Sequence, residues 1–261
     1  MKNKILIFIY KIIFFIKGIK YKKINNLIFL GSKYGGKYFR NIGVLKNKYV
    51  ISAGLGEDAS FDIELINKTG CKIILIDPTP RSIEHYKKII MSAGKKNELN
   101  YNLNGNQPVK AYNLVKVNSN NLKLVKRALY NKNLKKINFY SPLVINHVSH
   151  SLITSKNKYF ETTRKIQVAT VTLKKILRAF KIKNVELIKL DIEGAEIDVI
   201  ENIIKNAIFP NQILVEFDDL MDFKINNLNR FIRTHNLLID NGYNLIKTKD
   251  NFPNMLYLRN Q

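Results

Sequence analysis

Residues 49–78, YVISAGLGEDASFDIELINKTGCKIILIDP, decide the fold class. An apolar run rich in β-branched residues, Tyr49 to Ala53, leads into Gly54-Leu55-Gly56. A segment with Phe61, Ile63, Leu65 and Ile66 follows, spaced better for a helix than for a strand. A second apolar run, Lys72 to Ile76, ends in Asp77. The order reads strand, loop, helix, strand. Two glycines at the first strand end let backbone approach a ligand closely, and helix amides behind them favour an electron-rich partner. Asp77 stands 21 residues after Gly56. At a strand tip, such a carboxylate can accept hydrogen bonds from both hydroxyls of a ribose. These parts together predict a nucleoside-cofactor site. A tight turn with a solvated strand-end acid carries the same letters.

The loop departs from a dinucleotide fingerprint. Ala59 takes the place of the third glycine in G-x-G-x-x-G, a permitted variant, and Glu57-Asp58 would set negative charge against a pyrophosphate. A ligand without phosphates suits that acidic loop better. S-adenosylmethionine, a sulfonium with a ribose and an adenine, is such a ligand. The loop chemistry therefore leans from nicotinamide dehydrogenase toward methyltransferase.

At 261 residues the chain can bury one full α/β core with an extension. Cys71 is the single cysteine, which excludes an internal disulfide and multi-cysteine metal or redox motifs and suits a reducing compartment. Four histidines without an H-x-x-x-H spacing argue against a zinc hydrolase. The net charge of +24 fits a polyanion or an anionic membrane surface. Lys, Asn and Ile are abundant throughout, however, and a codon-biased genome explains that equally well. Charge is uneven: residues 1–48 hold twelve Lys or Arg and no acid. We divide the chain into a basic N-terminal extension, 1–48, and a catalytic domain, 49–261.

Within the extension, Ile5 to Ile16 is apolar except for Lys11. Twelve residues make about 18 Å of helix, too short for a hydrocarbon core of about 30 Å. Lys11 interrupts the run and no small-residue cleavage site follows, which disfavours a signal peptide. On a helix Lys4, Lys11 and Lys22 fall on one line, so residues 1–23 are expected either to contact an anionic membrane surface or to pack on the domain. Residues 31–48, Gly- and Lys-rich with three aromatics, read as a loop or short hairpin, most simply a solvated connector.

After Asp77, Pro78 and Pro80 make a rigid turn into a helix with Ile83, Tyr86, Ile89 and Ile90. Residues 95–121 are Asn-rich and read as an insertion or long surface loop. Two strand-like runs, LKLVKRALYN and KKINFYSP, precede a polar stretch with His147 and His150, either of which could touch a substrate or be incidental. A strand-like KIQVAT and a helix capped by Thr170 or Thr172 follow.

The block 186–204, ELIKLDIEGAEIDVIENII, reads as a buried strand running into Asp191, then a helix opened by Gly194. Lys189 is odd within an apolar strand and makes sense if its ammonium reaches a carboxylate. Asp191, Glu193 and Glu196 cluster at the strand tip. They serve either as ordinary N-terminal helix charge or as catalytic or metal carboxylates at the carboxyl edge of a parallel sheet. A further strand, QILVEF, ends in Asp218-Asp219, and Asp191, Asp218 and Asp219 could together hold a Mg²⁺-type ion. The tail reads as a helix stopped by Gly242 and two strands, YNLIK and MLYL, which fit a sheet whose last strand runs antiparallel.

YVISAGLGEDASFD, IDPTP, LIKLDIEGAEIDVI with ILVEF, and NGYNLI resemble the FkbM family of S-adenosylmethionine-dependent methyltransferases. The resemblance runs from about residue 49 to the C-terminus, and KLDIEGAE is its most specific part. It implies a Rossmann-like class I methyltransferase fold: α/β, with a seven-stranded, mostly parallel sheet whose last strand is antiparallel. It also implies O-methylation of a sugar, glycan or related metabolite. Carried over by position, Gly54, Leu55 and Gly56 form the cofactor loop, Asp77 with Pro78 the ribose clamp, and Ala128 and Leu129 lie near the adenine. Asp191 and Glu193 face the transfer site, with Lys189 supporting the local charge. Ser52 stands where the family often has an acid, and Asp58 where it often has glycine.

The alternatives are a nucleic-acid methyltransferase and a non-catalytic, membrane-associated nucleoside-binding protein. No base-reading module or N-P-P-Y-type motif supports the first, so a nucleic-acid partner is not expected. A cytoplasmic enzyme, peripheral at the inner membrane face, would suit the basic N-terminus.

Overall fold

The computed structural model describes residues 2–41, 43, 45–141, 150, 151 and 164–260. Helix α1 (Lys2–Ile16) precedes a hairpin, β1 (Leu27–Leu30) and β2 (Lys37–Arg40). Then come β3 (Tyr49–Ala53), α2 (Ser60–Thr69), β4 (Lys72–Ile76), α3 (Pro80–Met91) and β5 (Leu122–Val125). Short strands β6 (Ala128–Leu129), β7 (Ile137–Tyr140), β8 (Lys165–Val168) and β9 (Thr170–Val171) lead to α4 (Leu173–Ala179). The chain ends with β10 (Val185–Leu190), α5 (Glu196–Lys205), β11 (Gln212–Glu216), α6 (Ile225–Asp240), β12 (Tyr243–Ile246) and β13 (Asn254–Arg259).

Seven strands form one sheet in the order β12-β13-β11-β10-β3-β4-β5. Strand β13 is antiparallel to both neighbours and every other pairing is parallel. This is the expected Rossmann-like class I methyltransferase sheet with its last strand antiparallel. The strands read as unbroken apolar runs because helices cover both faces. In β4, Ile73 and Leu75 join the core under α2 and α3, while Ile74 and Ile76 join the core under α4, α5 and α6. Strand β10 alternates likewise, with Leu187 on the first face and Ile188 and Leu190 on the second. Each such fully buried side chain stabilises the fold by roughly 1.5–3 kcal/mol.

Described residues of the 1–48 extension pack on this domain. Helix α1 buries Tyr10 and Phe14 in the second core, and Phe14 stacks on Phe231 of α6 at 5.2 Å. The helix ends at Ile16, and Gly18 turns the chain with φ +68°. Lys22 therefore does not extend a line from Lys4 and Lys11. Its amide donates to the Leu245 carbonyl and its carbonyl accepts from Lys247, alongside β12. The 31–48 stretch is also no solvated connector: Phe39 is fully buried against Phe61 of α2.

The 95–121 insertion is anchored rather than purely superficial. Tyr112, Leu114 and Val117 are buried, and the Tyr112 hydroxyl accepts from the Ala59 amide at the start of α2. Thr172 caps α4 by accepting from the Lys175 amide, and Gly242 (φ +84°) follows the end of α6, both as expected.

Two buried imidazoles link this core to pH. His85 bonds the Tyr112 hydroxyl at 2.9 Å, His235 bonds the Tyr257 hydroxyl at 2.9 Å, and burial pushes both down to about 4. The unfolded chain binds these protons near the ordinary value of 6.5. Stability is therefore complete above that value and falls as pH drops toward 4, by at most about 1.4 kcal/mol per pH unit for each imidazole. Thermal melts should show a clear loss between pH 7.5 and pH 5, and His85→Gln should flatten that pH dependence.

Candidate functional site

From β3 the chain steps to β4 and β5, then crosses back to β10 and β11 on the other side. The carboxyl ends of β3 and β10 therefore flank the switch point where open α/β sheets bind ligands. Gly54 makes that point possible. It has φ +85°, and a Cβ there would lie 1.7 Å from the Asp191 carbonyl oxygen. Behind it, the Asp191 amide donates to the Ala53 carbonyl and the Gly54 amide to the Ile76 carbonyl, tying three strand tips together.

Asp77 holds the loop from the β4 side. Its Oδ2 accepts from the amides of Leu55 (3.0 Å) and Gly56 (3.1 Å), and its Oδ1 accepts from the Thr79 amide and hydroxyl. These donors occupy the acceptor capacity of a carboxylate. A ribose bound at Asp77 must therefore displace one of them, which couples the shape of the loop to its occupancy.

The acids after Gly56 have partners of their own. Glu57 pairs with Arg81 of α3, and Asp58 accepts from Ser32, from the Ser60 amide and from Gln107. The repulsion of a pyrophosphate expected from Glu57-Asp58 is thus reduced. Asp58 instead stitches the β1–β2 hairpin to the domain: a Cβ on Gly35 would stand 2.8 Å from its carboxyl. That stitching sets Tyr34 on the rim, its ring packed over Gly105.

On the β10 side, Glu196 is fully buried and accepts from the amides of Ile192 and Gly194. It shapes the 191–194 turn and does not face a ligand. The turn holds Glu193 in the left-handed region, φ +61°, strained for a side-chain-bearing residue, with the Glu193 carbonyl accepting from Ser151. Lys189 does not meet a carboxylate at the strand tip. It donates to the Gly54 carbonyl at 3.0 Å from the sheet face it shares with Ser52 and the wholly buried Asp62 of α2. Burial raises the Asp62 carboxyl above its usual range, opposed by the Lys189 charge.

Asp191 is joined by a residue that sequence reasoning missed. Lys37, buried at the start of β2, reaches Glu216 at 3.2 Å, Asp191 at 3.9 Å and the Asn254 side chain. Burial opposes its charge, but Asp191 and then Glu216 outweigh that and hold the ammonium above its ordinary range. Burial and the Asp191 charge likewise lift Glu216. The three-carboxylate ion site that Asp191, Asp218 and Asp219 could have formed does not assemble among the described residues. Asp219 sits in a short helical turn, 218–220, and accepts from Arg230 of α6 at 2.8 Å. Among the described residues, no group of three His, Cys, Asp or Glu could hold a metal ion.

These parts surround one cleft of about 840 Å³, its open mouth included. Gly54, Leu55, Gly56, Asp77, Pro78, Ala128, Leu129, Lys189, Asp191 and Glu193, all singled out in the sequence, line it together with Tyr34, Phe139 and His150. His150 stacks on Phe139 and bonds Ser141 at 3.0 Å. His147 lies outside the described residues. Lys37, Tyr34 and Asp62 had one sequence signal each: a lysine and a tyrosine in an acid-free, aromatic-rich stretch, and an acid on the buried face of an amphipathic helix.

Gly54→Ala should be far costlier than an ordinary left-handed glycine substitution. Gly70, with φ +71° and open space around its would-be Cβ, should lose only about 1–2 kcal/mol as Gly70→Ala. Urea unfolding of the two variants side by side checks this, with Gly54→Ala expected to unfold at markedly lower denaturant.

No curated protein matches the chain. Among solved structures, a precorrin-6y C5,15-methyltransferase from Geobacter metallireducens GS-15 is similar over 82% of each chain, at 10% identity and a TM-score of 0.37, too weak a likeness to add to the assignment. The Methyltransferase FkbM domain model matches residues 41–245, starting eight residues before the core strand β3 and covering well over half of the chain. The chain belongs to the FkbM methyltransferase family.

Proposed function

We propose that this methyltransferase moves a methyl group from S-adenosylmethionine to a hydroxyl of a sugar, glycan or related metabolite. The observation that carries the reading is the cleft at the switch point, with a glycine loop and a strand-end carboxylate on one side and Asp191 and Glu193 on the other. The Gly54–Gly56 loop, Asp77 with Pro78, and the apolar Ala128 and Leu129 suit the methionine, ribose and adenine parts of the cofactor. When bound, it supplies an electrophilic methyl group. Among the described residues five acids and one lysine line the cleft, a balance that favours a cationic cofactor and disfavours a nucleic-acid backbone.

Asp191 is the group we assign to the acceptor. Its carboxylate accepts the hydroxyl proton as the acceptor oxygen attacks, while Lys37 fixes its direction from behind. Glu193 orients the acceptor from the same turn. Tyr34 and Phe139 offer aromatic faces to the C–H edge of a sugar ring, and the carboxylates accept from its hydroxyls. Lys189 acts from beneath the loop, holding Gly54 in place. Cys71 is buried and free, which agrees with a reducing, cytoplasmic setting.

Transfer of label from S-adenosylmethionine to a panel of sugars and other hydroxylated metabolites tests this reading. Asp191→Asn should lower kcat on any acceptor found by about 10²–10⁴ while S-adenosylhomocysteine still binds. Full turnover in that variant would remove Asp191 from the role.

A further inference from the structure

Among the described residues no helix is long and apolar enough to cross a membrane. Helix α1 nevertheless leaves a broad apolar face uncovered. Tyr10 and Phe14 point into the domain, with Leu6 and Ile13 half-buried beside them. The opposite side carries Ile5, Phe8, Ile9, Ile12, Phe15 and Ile16, all exposed, with Phe8 at 63%, Ile16 at 71% and Phe15 at 86%. At 100° per residue these six span an arc of about 120° with no polar residue inside it. Single exposed apolar residues are ordinary, whereas a contiguous helix face is not.

A second exposed apolar segment packs against the domain side of α1. After β11, the 221–225 loop exposes Met221, Phe223 and Ile225, and the Phe223 ring lies 5.8 Å from that of Tyr10. This loop leaves the carboxyl edge of the sheet, the edge that carries the cleft. The chain that follows the helix is basic. Lys11 lies on the margin of the apolar arc, and Lys17, Lys20, Lys22 and Lys23 follow exposed. Residues 1–48 contain no acid, and Asp222 is the one acid inside the 221–225 loop.

We propose that this face docks the enzyme on an anionic lipid bilayer, with the apolar arc of α1 in the interface and the lysines against the headgroups. A second copy of the chain suits it poorly, since joining two such faces would bring their lysines together in a chain already at +24. Membrane attachment here is reversible and lies parallel to the surface, since α1 is anchored in the core along its length.

Flotation of the full chain with vesicles of phosphatidylcholine alone, and of phosphatidylcholine with phosphatidylglycerol, tests the proposal. The wild type should float with the anionic vesicles, with at least tenfold weaker partition to neutral ones and to anionic ones at 0.5 M salt. Phe8→Ser/Phe15→Ser should lose anionic binding at least tenfold with an unchanged melting temperature. The single Phe15→Ser, at the most exposed position, should lose part of it. Failure of the wild type to float, or equal flotation of the variants, would overturn the proposal. So would a stable dimer by light scattering, dissociated by the double substitution, in a protein that ignores vesicles.

Discussion

The carbonyl of Asp191 sits against Gly54 so closely that no side chain fits between them. That approach is the constraint on which the site depends. It brings the tips of β3 and β4, with Gly54–Gly56 and Asp77, and the tip of β10, with Asp191 and Glu193, to one crevice. The contact is held from both sides: Lys189 binds the Gly54 carbonyl from below, and Asp77 binds the next two amides from the β4 tip. A loop supported on three strands is preorganised, and preorganisation gives a small cofactor site both affinity and direction.

Charge is sorted by depth. The chain is strongly basic, yet its cleft is acidic. The two lysines buried near it, Lys37 and Lys189, each have a fixed task, one bridging Asp191 and Glu216, the other seated under the loop near Asp62. Buried ammonium groups are tolerable only with such partners. The remaining basic excess faces outward, most densely around α1. Interior acid suits the proposed sulfonium cofactor and exterior base the proposed anionic surface, with opposite signs.

Much of this was legible in the sequence. The β-branched runs announced a strand, loop, helix and strand over residues 49–78, the FkbM resemblance implied the mostly parallel sheet, and the Gly54–Gly56 loop with Asp77 placed its functional edge. What escaped reading depended on long-range partners. Lys37 meets Glu216 across 179 positions, through a hairpin whose letters look like a connector. Lys189 announced a buried charge correctly, but its partner is a backbone carbonyl, which leaves no mark in a sequence. Asp219 looked like a third ligand for an ion until Arg230, on the following helix, claimed it. Lys22 failed for a local reason, because Gly18 ends the helical phase on which its alignment depended.

The most direct test of the account is calorimetric titration of the purified protein with S-adenosylhomocysteine, beside Asp77→Ala. Asp77 both shapes the loop and faces the cleft, so saturable 1:1 binding by the wild type that is lost or strongly weakened in the variant is the predicted result. Correctly folded wild type that takes up no S-adenosylhomocysteine would contradict it, and would separate the crevice at Gly54 from the cofactor assigned to it.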